Sequence, residues 1–178
     1  MTEKTVAYVI EPLDPEKHDR AAFSCGVEQV DNFFRKTANK LSKADNLRVW
    51  VMSEHGGAVI GFYAVNAHSV SYQDLPAAFA RTRPGHGEIP AAFIAMIGRD
   101  VRYACGGYGA DLLVDCLQRI GRASEALGIA VAMLDVLDCG TPERTARRKA
   151  LYLDYGFQPL PTNPMRLFLP TATIRRAI

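Results

Sequence analysis

Three glycines within four residues, Gly106, Gly107 and Gly109, are where this sequence is best equipped for chemistry. Ahead of them lies an apolar segment, Ala91-Ala-Phe-Ile-Ala-Met-Ile97, with the length and composition of a buried strand. Behind them runs Leu112 to Leu127, with Leu112, Leu113, Cys116, Leu117 and Ile120 at helical spacing. A strand that enters a helix through a glycine-rich turn leaves backbone N–H groups pointing outward at the helix N-terminus. That geometry suits a phosphate or pyrophosphate, and bare backbone lets the ligand approach closely. Such turns also occur without any ligand, so the glycines alone do not name one.

The remaining reactive side chains are less informative. Cys25, Cys105, Cys116 and Cys139 have neither CxxC nor Cys/His spacing, which argues against a zinc site and against a disulfide framework. No metal is expected. His18, His55, His68 and His86 read as surface or loop residues. Basic residues are unevenly spread: Arg144, Arg147, Arg148 and Lys149 fall close together, as do Arg81 and Arg83. Such clusters either meet nucleic-acid phosphates or form a solvated helix face, and both readings stand. A net charge of +2 neither demands nor excludes a nucleic-acid partner.

These residues need a scaffold. A chain of 178 residues, 48% hydrophobic and 22% charged, is long enough for one domain, 1–178, with a substantial core. No apolar run approaches the ~20 residues of a membrane span. The first residues lack a signal-peptide core, so a cytoplasmic location is expected. Thr5 to Ile10 reads as a strand ended by Pro12 and Pro15, and the loop from His18 to Gly26 turns Phe23 and Cys25 toward the core. A helix follows over Val27 to Leu41, its basic residues late in the run where they complement the helix dipole. Leu47 to Met52 and Ala58 to Tyr72 read as strands joined by a turn at His55-Gly-Gly57. The stretch 73–90 is irregular, with a short helix at Ala77–Ala80.

After the glycine turn and its helix, closed by Gly128, Ile129 to Leu137 is an apolar strand. Thr141 to Asp154 reads as a helix with Pro142 in its first turn and Gly156 as its C-terminal cap. Phe157 opens a last hairpin with Met165 to Leu169, before a short basic tail. A meander followed by β-α-β-α-β indicates one mixed sheet flanked by helices, an α/β or α+β domain.

The order of these motifs resembles the GNAT acetyltransferases. Ala104-Cys-Gly-Gly-Tyr-Gly109 stands where that superfamily carries its Q/R-x-x-G-x-G/A turn, and Leu151-Tyr-Leu-Asp-Tyr-Gly-Phe157 where it carries a tyrosine before Gly-Phe. Within the superfamily the chain looks most like the tRNA-acetylating toxins of bacterial toxin–antitoxin modules. Phe23-Ser-Cys-Gly-Val-Glu-Gln-Val-Asp-Asn-Phe33 is similar to their F-x-C-G-x-x-x-L-D-x-F opening. Gly61-Phe-Tyr-Ala-Val-Asn66 and Leu75-Pro76 fall at their G-Y-Y-x-L-S and L-P, and Phe157-Gln-Pro-Leu-Pro161 echoes their ending. The chain departs from the pattern at Ala104, Cys105, Gly106 and Arg99, and in an arginine-rich insertion between Asp138 and Tyr152.

The resemblance implies a GNAT fold and acetyl-CoA, bound through Ile97, Gly98, Arg99, Ala104, Cys105, Gly106, Gly107, Tyr108, Gly109 and Ala110. It implies acetylation of the α-amine of aminoacyl-tRNA, a homodimer, and a ribbon-helix-helix antitoxin. Arg81, Arg83, Arg144, Arg147, Arg148 and Lys149 then become candidates for tRNA phosphates. Backbone N–H groups near Gly98 and Arg99 would polarise the thioester carbonyl. Tyr152 matches the family's general acid; a phenol of ordinary pKa ~10 is protonated at neutral pH. Tyr155 and Tyr108 would pack or line the cofactor. No general base stands out, and a weakly basic aminoacyl amine needs none. The alternatives are an acetyltransferase for a small amine or protein N-terminus, and a weakened CoA-binding relative.

Overall fold

The computed structural model describes residues 6–55, 57–82 and 87–177. Arg83 and His86, Gly56 of the hairpin turn, and Thr5 of the expected first strand lie outside the described residues. The chain begins with strand β1 (Val9–Pro12), then helix α1 (Glu28–Asn32), which passes through a π-helical turn (Phe33–Thr37) into α2 (Ala38–Lys43). Next come β2 (Arg48–Ser53), β3 (Val59–Ser71), the short α3 (Ala77–Ala80), β4 (Glu88–Arg99) and α4 (Tyr108–Ala126). The chain continues through β5 (Val131–Asp135), α5 (Pro142–Asp154), β6 (Gln158–Leu160), β7 (Asn163–Pro170) and α6 (Thr171–Ala177).

The strands form one mixed sheet in the order β1-β2-β3-β4-β5-β7-β6, flanked by helices as expected. β4 and β5 run parallel, whereas β1–β2, β2–β3, β5–β7 and β6–β7 are antiparallel. Two compact units emerge, residues 1–66 with 95–116 and residues 67–94 with 117–178; β3, β4 and α4 each contribute to both.

In the first unit the helical run turns Val30, Phe34 and Ala38, spaced by four, into the core with no exposed surface. Phe34 stacks on Phe62 of β3 at 4.1 Å, and Phe23 meets both rings edge-on at 4.9 and 5.4 Å. The expected helix over Val27–Leu41 is present but interrupted. A π-helical turn begins at Phe33, whose ring stacks near Phe62 at 6.1 Å. The opposite face of β3 receives α4. Gly61 lies directly under Leu112, where a Cβ would collide with that side chain and come within 2.7 Å of the Gly98 carbonyl oxygen. Two residues on, the Tyr63 hydroxyl donates to Asp115 of α4 at 2.5 Å.

The second unit is built on β5, buried from Val131 to Leu134 because it has a strand on either side. Met133, Phe168, Ile89 and Val70 form the centre of its core. Four expectations are corrected here. The basic tail is a helix, α6: its Thr171 hydroxyl donates to the Ile129 carbonyl at 2.7 Å, and Ile174, three residues on, is buried with it. Gly128 does not cap α4, which ends at Ala126, and it adopts no left-handed φ. In the first unit, β1 begins later than expected and ends on Pro12 rather than before it, which an edge strand tolerates. His18 is buried, not superficial: its Nδ1 accepts the Asp14 N–H at 3.0 Å, so Nε2 carries the proton toward Glu11, 3.1 Å away.

Gly61→Ala tests how tightly α4 is seated. Overpacking against backbone costs about 1–3 kcal/mol. For a chain of this size that lowers the melting temperature by roughly 2–12 °C, measurable by calorimetry; an unchanged melt would show that α4 has room to shift.

Candidate active site

The parallel pairing of β4 with β5 runs from Ala91↔Val131 to Ile94↔Leu134. β4 then continues five residues further, to Arg99, without that partner. Of the residues here, Ile97 is half-buried, and Gly98 is buried because a Cβ would press on Val30 and Cys25. Arg99 turns its guanidinium back onto the Tyr103 carbonyl at 2.7 Å. Ala104 and Cys105 are exposed. Gly106 and Gly107 have φ of +99° and +74°, the left-handed region where glycine is favoured. Ala110 and Asp111 donate to the Gly107 carbonyl at 3.0 and 3.1 Å, so the N–H groups of Tyr108 and Gly109 have no acceptor within the helix. At Gly107 and Gly109 an added Cβ would meet nothing within 4 Å. The turn therefore presents bare backbone donors at the N-terminus of a 19-residue helix.

Tyr108 gives this site only its backbone. Its side chain is buried, edge-on to Tyr8 and Tyr103, and its hydroxyl accepts the Val6 N–H at 2.7 Å. Tyr8 donates to Asp111 at 2.8 Å and Tyr103 to Glu54 at 2.6 Å. Burial first, and then those carboxylates, push both phenols up to about 12, so both keep their protons.

Two carboxylates fix the approach to the turn. Asp31 accepts the Cys25 N–H at 2.7 Å and the Ser24 hydroxyl at 2.9 Å. Asp100, 1% exposed, accepts the Ser24 N–H at 3.0 Å, the Arg102 N–H at 2.8 Å and both arms of the Arg102 guanidinium at 2.9 and 3.0 Å. Burial alone would raise the Asp100 carboxyl, but these hydrogen bonds outweigh it and hold the group below the usual carboxylate range.

In the second unit, Tyr152 is 3% exposed on α5. The helix ends in a Schellman motif: the Phe157 N–H donates to the Tyr152 carbonyl at 3.2 Å and the Gly156 N–H to the Leu153 carbonyl at 3.0 Å. Gly156 has φ +94°, and the Phe157 ring packs edge-on against Tyr152 at 6.0 Å. Arg81, Arg144 and Arg147 are exposed, and Lys149 is half-buried. Arg148 differs from them, donating its Nε–H to the Tyr152 hydroxyl at 3.2 Å.

No family model matches the chain. It is 70% identical over 168 residues to a probable toxin TacT of Sinorhizobium fredii (strain NBRC 101917 / NGR234), covering 94% of this chain and 93% of that one. The chain belongs to the TacT toxin family. A tRNA-acetylating toxin of Mycobacterium tuberculosis (strain ATCC 25618 / H37Rv) is 27% identical over 151 residues, 85% of each chain. Among solved structures, AtaT complexed with acetyl-methionyl-tRNAfMet has a TM-score of 0.84 at 23% identity, over 96% of this chain and 99% of that one. A Tyr-to-Phe mutant of AtaT, bound to the C-terminus of the antitoxin AtaR and acetyl-CoA, has a TM-score of 0.78 at 21% identity, over 96% and 97%. These structures share the fold, which is the GNAT fold anticipated from the motif order.

Two features of this TacT-family chain escaped the sequence reading. Arg20, Arg35, Lys36, Lys40 and Lys43 line one open groove of about 520 Å³. Most of that charge lies in the sequence as basic residues late in the first helix, where they complement its dipole; only the fold adds Arg20. The second is a stack in which the His68 ring lies 4.9 Å from Phe93 and the Arg166 guanidinium 5.5 Å from it, with Arg166 held by Asp135 at 2.6 and 2.8 Å. Its four members are scattered along the chain and carry no spacing signal. Among the described residues, no group of three or more His, Cys, Asp or Glu is placed to hold a metal ion. Among the described residues, no helix is long and apolar enough to cross a membrane.

Asp100→Asn removes the charge that the loop anchors hold. Hydrogen bonds to a charged group are worth ~1.5–3 kcal/mol, so a loss of about 2 kcal/mol is expected at pH 7. A carboxyl lowered in the folded state contributes stability above its unfolded value of ~3.9 and loses it as pH falls through the folded value. Urea midpoints taken from pH 6 to pH 3 should therefore converge for wild type and variant at the acid end; a constant gap would show that the Asp100 charge is not what stabilises.

Proposed function

We propose that this chain transfers the acetyl group of acetyl-CoA to the α-amine of aminoacyl-tRNA and so blocks translation as the toxin of a toxin–antitoxin pair. The observation that carries the reading is the pair of open glycines, Gly107 and Gly109, at the start of α4, in a chain 70% identical to a probable toxin TacT. Acetyl-CoA supplies an activated acyl thioester, and the residues fit it. Ile97 to Arg99 offer the backbone of β4 beyond its pairing with β5. The turn from Ala104 to Ala110 offers N–H groups to the pyrophosphate; Ala104 and Cys105 add backbone alone. Tyr152 Oη holds the proton needed at the departing sulfur. The basic groove along the α1–α2 face, with Arg81, Arg144, Arg147 and Lys149, supplies cations for tRNA phosphates. The family likeness further supports a cytoplasmic homodimer held in check by a ribbon-helix-helix antitoxin.

Gly109 is a cleaner probe of the cradle than Gly107, whose φ of +74° strains any side chain. In free protein Gly109→Ala meets open space and gains up to ~1 kcal/mol of helix propensity. Calorimetric titration should show acetyl-CoA binding weakened while the melt holds or rises; undiminished affinity would move the cofactor elsewhere.

The activity itself is tested by mass spectrometry of charged tRNA after incubation with isotopically labelled acetyl-CoA. Labelled acetylaminoacyl-adenosine should appear with wild type and fall ~10²–10⁴-fold with Tyr152→Phe, the loss lying in turnover rather than cofactor affinity. Labelling of free amines or peptide N-termini without tRNA would favour the other acetyltransferase reading. Run across salt concentrations, the assay also ranks the basic patches. Lys36, Lys40 and Lys43 changed to Ala should flatten the salt slope more than Arg144 and Arg147 changed to Ala.

A further inference from the structure

We infer that Arg148 is a positioning residue for acyl transfer: it fixes the Tyr152 hydroxyl and stabilises the charge left when that proton departs. The inference rests on Tyr152 being the acid proposed above. Arg148 belongs by sequence to the run Arg144-Thr-Ala-Arg-Arg-Lys149, which reads as a surface for nucleic-acid phosphates. The structure separates it from that run. Arg144 and Arg147 are exposed, whereas Arg148, one helical turn before Tyr152, is half-buried with its Nε 3.2 Å from Tyr152 Oη.

A guanidinium only donates, so this contact occupies a lone pair of the phenol oxygen. The hydroxyl hydrogen must then point away from Arg148, toward whatever lies on its other side. The ring cannot swing to follow it, because Tyr152 is 3% exposed and its backbone is locked by the Schellman bonds from Phe157 and Gly156. When the proton leaves, the negative oxygen stays beside a cation in a site largely shielded from water. There a charge-assisted hydrogen bond is stronger than the neutral one it replaces. The contact thus strengthens as the reaction proceeds, which is the requirement for raising turnover rather than binding.

The test is a double-mutant cycle on kcat in the labelled-acetyl assay. Arg148→Met, which keeps an apolar stem, should lower kcat roughly 10–100-fold, from the strength of a charged hydrogen bond. The KM for acetyl-CoA, the affinity for tRNA and its salt slope should all stay at wild-type values. Arg148→Lys, which keeps charge and a donor, should retain more turnover than Arg148→Met. In a Tyr152→Phe background, Arg148→Met should cost nothing further, because there is no proton left to position. Thermal melts confirm folding, and an i,i+4 contact is worth only ~0.2–0.5 kcal/mol to a helix. A wild-type kcat in Arg148→Met, a weakened salt slope, or a full additional loss in the Tyr152→Phe background would each overturn the inference while leaving the acetyltransferase reading intact. If Tyr152→Phe itself turns over at the wild-type rate, the assignment of the acid fails first and this inference with it.

Discussion

The close approach of α4 to β3 at Gly61 constrains the site more than any other contact. A helix lies this near a strand only where one strand residue lacks a side chain, and Leu112 fills that space. Leu112 is the fifth residue of α4, so seating it fixes the first turn of the helix, and with it the N–H groups of Tyr108 and Gly109. The same approach puts the Gly98 carbonyl under Gly61 and so ties the end of β4 to the helix start. Between those points the chain has only the short path from Asp100 to Gly107, and Asp100 is anchored by four hydrogen bonds. The glycine turn is therefore held at both ends. Its flexible residues sit in fixed positions, which lowers the entropy a ligand must remove on binding.

A comparable logic governs Tyr152. The spacing Tyr-x-x-x-Gly-Phe is the sequence of a Schellman motif in which the tyrosine is the third residue from the helix end, the glycine takes the left-handed position and the phenylalanine returns its N–H. If Tyr152 is the acid proposed above, motif and function are linked by backbone physics. The glycine ends the helix, the phenylalanine packs edge-on against the tyrosine ring at 6.0 Å, and the hydroxyl accepts from Arg148. The Phe-x-Cys-Gly…Asp pattern has an equally local cause: Asp31 holds the Ser24 hydroxyl and the Cys25 N–H, pinning the loop that precedes its own helix.

The elements legible in the sequence were those whose signal is local. The strand–glycine–helix unit, the α5 cap at Gly156 and the hairpin after Phe157 followed from periodicity and turn chemistry, and the structure shows each within a few residues of its expected bounds. The hidden features depend on distant partners. The short basic tail carries Arg175 and Arg176, yet its Thr171 and Ile174 find the Ile129 backbone and the core. His18 is polar and lies in a loop; only the fold brings Glu11 to one ring nitrogen and the Asp14 N–H to the other. The π-helical turn at Phe33–Thr37 has no spacing signal of its own, because its residues follow the same three-and-four periodicity as the helix around them.

Charge is where sequence and structure diverge most usefully. In the sequence, Arg148 and Lys40 are both cations on basic helices. In the fold, Lys40 lines an open groove shared with Arg20, Arg35, Lys36 and Lys43, while Arg148 spends a donor on a buried phenol. An exposed cation acts through a screened field, tolerates substitution by another cation, and contributes mainly to the salt-dependent part of RNA affinity. A cation against a buried oxygen acts at one atom and depends on geometry. The departures at Ala104 and Cys105 follow the same division. In the proposed reading the cradle is built from backbone N–H groups, so Ala104 and Cys105 leave its donors in place while adding no side-chain grip on phosphates.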